Sequence, residues 1–256
     1  MEMIFKAYKA GIAAAALLLA MGAVAQKVDP DPQLQAEVQK ALSKKQFAGV
    51  QVQVADGLVT LTGKVDKLSD KIEATKKADH FKPAGVHNTI QVTMAGGATV
   101  SDEQLLQKLS KKLIYAREGY WTQPFNAFTL QVHDGVATVG GVAVMPEDKD
   151  DVLDEISTTP GVRDLVDNIK VAPLSGNDNQ IRRAEFAAVY GATQLNRYAL
   201  DPAKSIRIVV INGHVTLVGS VDTQSDKDIA GIRANGVPGV FSVVNDLQVA
   251  GQEPGR

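Results

Sequence analysis

Apolar and polar residues alternate in three stretches of the chain, 50–63, 128–141 and 206–219, and a turn pair interrupts each one: Asp56-Gly57, Asp134-Gly135 and Asn212-Gly213. Such a pair between alternating runs predicts a β-hairpin, because a two-residue type I′ turn needs positive φ at both central positions. Counting outward from the turn sets Val54 against Val59, Val52 against Leu61 and Val50 against Gly63. The second copy gives Val132/Ala137, Leu130/Val139 and Phe128/Gly141, and the third gives Val210/Val215, Ile208/Leu217 and Ile206/Gly219. Residues two apart on a strand share a face, so each hairpin has one apolar face to bury.

The turn glycines Gly57, Gly135 and Gly213 are 78 residues apart, as are the trailing glycines Gly63, Gly141 and Gly219. A strict internal period signals tandem units, here expected over 31–95, 101–173 and 178–250. In the first, Pro32 suits the opening turn of a helix in which Leu34, Val38, Ala41 and Leu42 recur at helical spacing. After the hairpin, Ser69 is expected to cap a second helix carrying Leu68, Ile72, Thr75 and Phe81. Pro83-Ala84-Gly85 would end that helix, and a closing strand is expected over 89–94. In the second module helices are expected from Ser101 through Leu105, Leu109 and Leu113, and over 146–157, with a closing strand over 166–171. In the third they are expected over 181–190 and 224–233, with a strand over 243–249. The order α-β-β-α-β, with the second helix as a right-handed crossover, predicts an α+β fold. Each of three tandem small modules would hold a three-stranded mixed sheet covered on one face by two helices.

The pattern at the N-terminus is different. Lys6 and Lys9 precede an apolar run over 11–21 and then Ala23-Val24-Ala25, a small-residue cleavage pattern. This predicts a secretory signal peptide over 1–25, cleaved after Ala25, and a periplasmic location for the mature protein, with no transmembrane helix remaining. The chain has no cysteine, which excludes disulfides and thiolate chemistry, so packing alone must hold each module together. Loss of Glu2, Lys6 and Lys9 with the leader takes the formal charge from −2 to −3, which argues against nucleic acid as a partner. That charge is unevenly spread: +2 over 31–95, −5 over 101–173 and 0 over 178–250.

The repeat supports a family resemblance. Each module carries D/N-G-x-V-x-L-x-G in its hairpin or a close variant, and a closing G-V with an N-x-[IL]-x-V strand. The closing pieces read Gly85-Val86 with Asn88-Thr89-Ile90-Gln91-Val92, Gly161-Val162 with Asp167-Asn168-Ile169-Lys170-Val171, and Gly239-Val240 with Asn245-Asp246-Leu247-Gln248-Val249. In these features each module resembles a BON domain. The first copy reads as about three residues short between Gly85 and Asn88, and the second has Asp167 where the others have Asn. The resemblance implies an exported, non-enzymatic protein, attached to phospholipid membranes or to envelope partners and acting in osmotic or envelope stress. A periplasmic chaperone or interaction scaffold is the alternative it leaves open. Its motif residues, Asp56, Gly57, Gly63, Asp134, Gly135, Gly141, Asn212, Gly213 and Gly219, are structural turn positions and not reactive ones.

No catalytic motif is present, and the four histidines, His80, His87, His133 and His214, stand at no metal-ligand spacing, so no cofactor or metal is expected. Candidate contacts lie where the copies differ. Lys40, Lys44 and Lys45 belong to a lysine-rich first module that would be drawn to anionic phospholipid. Five of the thirteen aromatics fall in 115–128, between a helix and a strand. There Tyr120, Trp121 and Phe125 either touch a partner or membrane interface or fold back on the protein. Val209, Ile211 and Val218 make the nominally solvent face of the third hairpin apolar, which predicts contact with another module or a partner. The acidic helix at 146–157 reads as a solvated face near its positive dipole end, or as a contact for a basic partner.

Overall fold

The computed structural model describes residues 31–94, 99–115, 123–199 and 205–251; the leader, Tyr120 and Trp121 lie outside the described residues. The first module runs α1 (Pro32–Ala41), β1 (Val50–Ala55), β2 (Leu58–Val65), α2 (Leu68–Asp79), β3 (Gly85–Asn88) and β4 (Gln91–Val92). The second runs α3 (Asp102–Tyr115), β5 (Ala127–His133), β6 (Val136–Ala143), α4 (Pro146–Ser157) and β7 (Asp164–Val171). The third runs α5 (Gly176–Tyr190), β8 (Arg207–Ile211), β9 (His214–Val221), α6 (Gln224–Asn235) and β10 (Ser242–Val249). Short 3-10 turns at Lys45–Phe47, Gln123–Phe125 and Asn196–Ala199 precede the hairpins.

The second hairpin strand is the centre of each sheet, antiparallel to the first and parallel to the closing strand. The turns are type I′: φ is 51° and 73° at Asp56 and Gly57, 50° and 73° at Asp134 and Gly135, and 52° and 78° at Asn212 and Gly213. The hairpin registers match the sequence count, except that β8 starts at Arg207, so Ile206 and Gly219 fall just outside the ladder. The trailing glycine has its own steric cause. Gly63, Gly141 and Gly219 have φ of 105°, 106° and 132°, and a Cβ there would run into the carbonyl oxygens of Gly49, Ala127 and Ser205.

Helix starts follow local chemistry. Asp31 accepts the Leu34 N–H at 3.0 Å to cap α1, Ser175 caps α5 through the Asp178 N–H at 3.1 Å, and Ser101 and Gln104 form a reciprocal capping box at α3. Ser69 does not cap α2; it is the second helical residue, after Lys67, which makes no side-chain cap. The buried stripe of α2 is Leu68, Ala74 and Ala78, while Ile72 is 38% exposed.

The closing strand of the first module differs from expectation. It begins at Gly85, four residues earlier than the apolar pattern suggested, and is split by Thr89 and Ile90. In register, Gly85 faces Leu58 as Asp164 faces Val136 and Ser242 faces His214. Gly85 is therefore not the counterpart of Gly161 and Gly239. That place belongs to Lys82, which has φ 54° where those glycines have 107° and 87°. The first copy is one residue short, between α2 and β3, and no residues are missing between Gly85 and Asn88.

Each module has its own apolar core between sheet and helices, and neighbouring cores are joined. Leu68 of α2 is 3% exposed and belongs to the second module's core, and Val92 packs against both cores. Phe125 packs against the core of the third.

Candidate contact surfaces

The basic surface of the first module is built by its helical layer. Gln46 donates to Glu73 on α2 at 2.9 Å, which ties the 3-10 turn to the helix, and Lys77 pairs with the same Glu73 at 3.4 Å. Lys44 and Lys45, at the start of that turn, are thereby held next to α2, whose last turn carries Lys76 and Lys77. Lys40, Lys44 and Lys45 are all exposed.

The other candidates are placed within the chain. Phe125 lies 78 residues after Phe47, which is 1% exposed in its own module's core. Phe125 instead meets Phe186 of α5 edge to face at 6.3 Å between ring centres, and Phe186 meets Tyr190 at 4.8 Å. The 3-10 turn holding Phe125 lies against β8, and Val209 on that strand is 8% exposed. Ile211 and Val218 are half-buried on the same face. The structure thus brings Phe125 and β8 together, and leaves the lysines on a separate surface.

Several polar residues with structural roles were not singled out from sequence. Asp102, at the start of α3, accepts the N–H groups of Asp134 and Gly135 at 2.7 and 2.8 Å; Asp178, at the start of α5, does the same for Asn212 and Gly213 at 2.8 and 2.8 Å. The Gly135 and Asp134 amides hold the Asp102 carboxyl below the usual range. His133 and Asp134 stand close enough to Asp102 to outline a metal site, but both are exposed and both Asp102 oxygens already accept backbone N–H groups. A second repeated device is the pair Asp70-Lys71, Asp148-Lys149 and Asp226-Lys227, again 78 residues apart, which a comparison of copies could have found. Asn88 donates to the Lys71 carbonyl at 2.9 Å and Asn245 to the Lys227 carbonyl at 2.7 Å, fixing the closing strand to the second helix. Asp167 has no proton to donate. There the Lys149 ammonium bridges instead, at 2.6 Å from the carboxylate and 3.1 Å from the Ile169 carbonyl.

Buried polar groups concentrate in the third module. Tyr198, 1% exposed, donates to Asp226 at 2.9 Å and accepts the Asp222 N–H at 2.8 Å; Arg197 reaches Asp226 at 2.6 Å. Burial pushes the Asp226 carboxyl up, but hydrogen bonds from Thr223 and Tyr198 and the Arg197 charge outweigh it and hold the carboxyl below its usual value. Glu185 on α5 is fully buried with neither oxygen bonded, and burial pushes it up to about 7. Among the described residues no helix is long and apolar enough to cross a membrane.

Comparison with known proteins agrees with the repeat. No curated protein matches the sequence. Among solved structures, the C-terminal domain of CdsD, a structural protein of the type III secretion system of Chlamydia trachomatis, is similar over 87% of this chain and 99% of that one, at 15% identity and a TM-score of 0.23. A second CdsD structure gives the same values, and a likeness at that level carries no argument about function. The BON domain model matches residues 30–94, 101–173 and 192–251. The third match begins after α5, yet α5 packs on β8 and α6 and completes that module. With three such units covering most of its length, the chain belongs to the BON domain family.

Proposed function

We propose that this protein is an exported, non-catalytic envelope protein that attaches to anionic phospholipid through the helical face of its first module and serves in osmotic or envelope stress. The supporting observation is that Lys44 and Lys45 are held next to Lys76 and Lys77 of α2 by the Gln46–Glu73–Lys77 links, with Lys40 exposed in the last turn of α1. Membership of the BON domain family, a membrane- and envelope-associated and generally non-catalytic family, agrees with this reading. A basic residue near an anionic surface contributes about 1 kcal/mol. Replacing Lys40, Lys44 and Lys45 by Gln should therefore weaken sedimentation with anionic vesicles by roughly ten- to hundred-fold. Binding should also fall as salt rises. Absence of vesicle binding at any salt would sink the proposal.

A protein-interaction scaffold or chaperone is the second reading, favoured by Phe241 and Ile232 on the third module, which are 75% and 71% exposed. It requires suppression of client aggregation without lipid.

A further inference from the structure

Between α2 of the first module and α4 and β7 of the second lies a solvent-open groove of about 850 Å³. Ile72, Leu153 and Leu165 contribute apolar surface to it, with the buried Leu68 beneath them. Ile72 is the residue on α2 that the helical pattern assigned to the core and that the fold leaves 38% exposed.

The polar lining is unbalanced. Glu73, Asp150, Asp154, Asp164 and Asp167 face Lys71 and Lys76. Glu73 is paired with Lys77, and Asp167 with Lys149. Asp150, Asp154 and Asp164 are exposed, and no described cation stands within ion-pair distance of them. Asp164 opens β7 and, among the described residues, accepts only the Leu165 N–H, at 2.9 Å, and the two on α4 do nothing for their helix. Asp150 and Asp154 are like charges one turn apart, which repel. Asp154 lies in the last turn of α4, at the negative end of the dipole, where the helix has no basic residue of its own. Only Glu147 and Asp148 stand at the positive end, so the acidic helix is not arranged for its dipole. The end of α4 is capped instead by Lys112 of α3, which donates to the Glu155 carbonyl at 2.9 Å.

We infer that this groove binds an amphipathic peptide segment of a partner protein, its apolar stripe laid on Ile72, Leu153 and Leu165 and its Lys or Arg side chains along one flank paired with Asp150, Asp154 and Asp164. The groove is open to solvent and lined from two helices, with apolar residues beside charged ones, as the helix-in-groove mode of recognition requires. Three unneutralised carboxylates on one wall set the sign of the partner's charge. The groove shares α2 with the basic face, through Lys71, Glu73 and Lys76, but its acidic wall lies on α4 and β7, away from Lys40, Lys44 and Lys45, and the inference does not depend on the lipid reading.

The test uses the full chain and two labelled synthetic amphipathic helices with the same apolar stripe, one flanked by Lys and one by Glu, followed by fluorescence anisotropy. The Lys-flanked peptide should bind and the Glu-flanked one should not. The combined Asp150→Asn, Asp154→Asn, Asp164→Asn variant should weaken binding by about ten-fold or more, and Ile72→Ser, at an exposed position, should weaken it independently. Both variants should sediment with anionic vesicles as the parent does, whereas the Lys40, Lys44, Lys45 variant should keep its peptide affinity. Equal binding of the two peptides, or binding unaffected by both groove variants, overturns the inference.

Discussion

Neither oxygen of Glu185 has a hydrogen-bond partner, and burial raises its pKa from 4.5 to about 7. A carboxyl raised in the folded state favours folding most below the unfolded pKa, and that stability is lost as pH rises between 4.5 and about 7. The full loss is of the order of 3 kcal/mol. Glu185→Gln should flatten this slope, so that the variant melts above the parent at pH 8 but not at pH 4; parallel melting curves across the range would refute it. Asp167 has the opposite sign. Burial pushes its carboxyl up, but the Lys149 contact outweighs burial and holds it low, so its contribution is present above the ordinary carboxylate pKa and fades as pH falls through the lowered value. Lys149→Ala should cost about 1 kcal/mol at neutral pH. Asp167→Asn should be nearly neutral, since Asn can donate to the helix carbonyl as Asn88 and Asn245 do; denaturant titration of both variants checks this.

Among the elements, the hairpin was the most legible, because its pairing depends only on neighbours in sequence and on a turn that few residues can make. Its trailing glycine is required by the carbonyl opposite as well as by φ. Gly141→Ala should therefore destabilise the second module by about 1–3 kcal/mol or more, measured as an earlier thermal transition, and an unchanged midpoint would remove the steric argument. The closing strand of the first module was misread for a physical reason. A Lys took the left-handed position that Gly161 and Gly239 occupy, and an unrelated glycine three residues further on looked like its counterpart. The second helix of that module was located correctly, and Leu68 is buried and Phe81 packs on the core as expected, but Ala74 and Ala78 fill the middle of the buried face while the larger Ile72 turns outward.

Across the whole molecule, the modules are linked by side chains that leave their own unit. Leu68 enters the second core and Phe125 the third. Phe125→Ala should remove about 2 kcal/mol, less than a fully buried Phe, since the ring is half-buried. Faster amide exchange should appear in α5 and β8 and not in α1 or α2; uniform exchange in all three modules would mean that Phe125 does not couple them. Sequence by itself determined the three copies, the α-β-β-α-β order and the hairpin registers, because period, alternation and turn chemistry are local and repeat every 78 residues. It did not determine where the copies meet. Phe47 and Phe125 hold the same place in the repeat, yet one fills its own core and the other a neighbour's. Likewise, only the approach of α2 to α4 turns Ile72 and three scattered aspartates into the two sides of one groove.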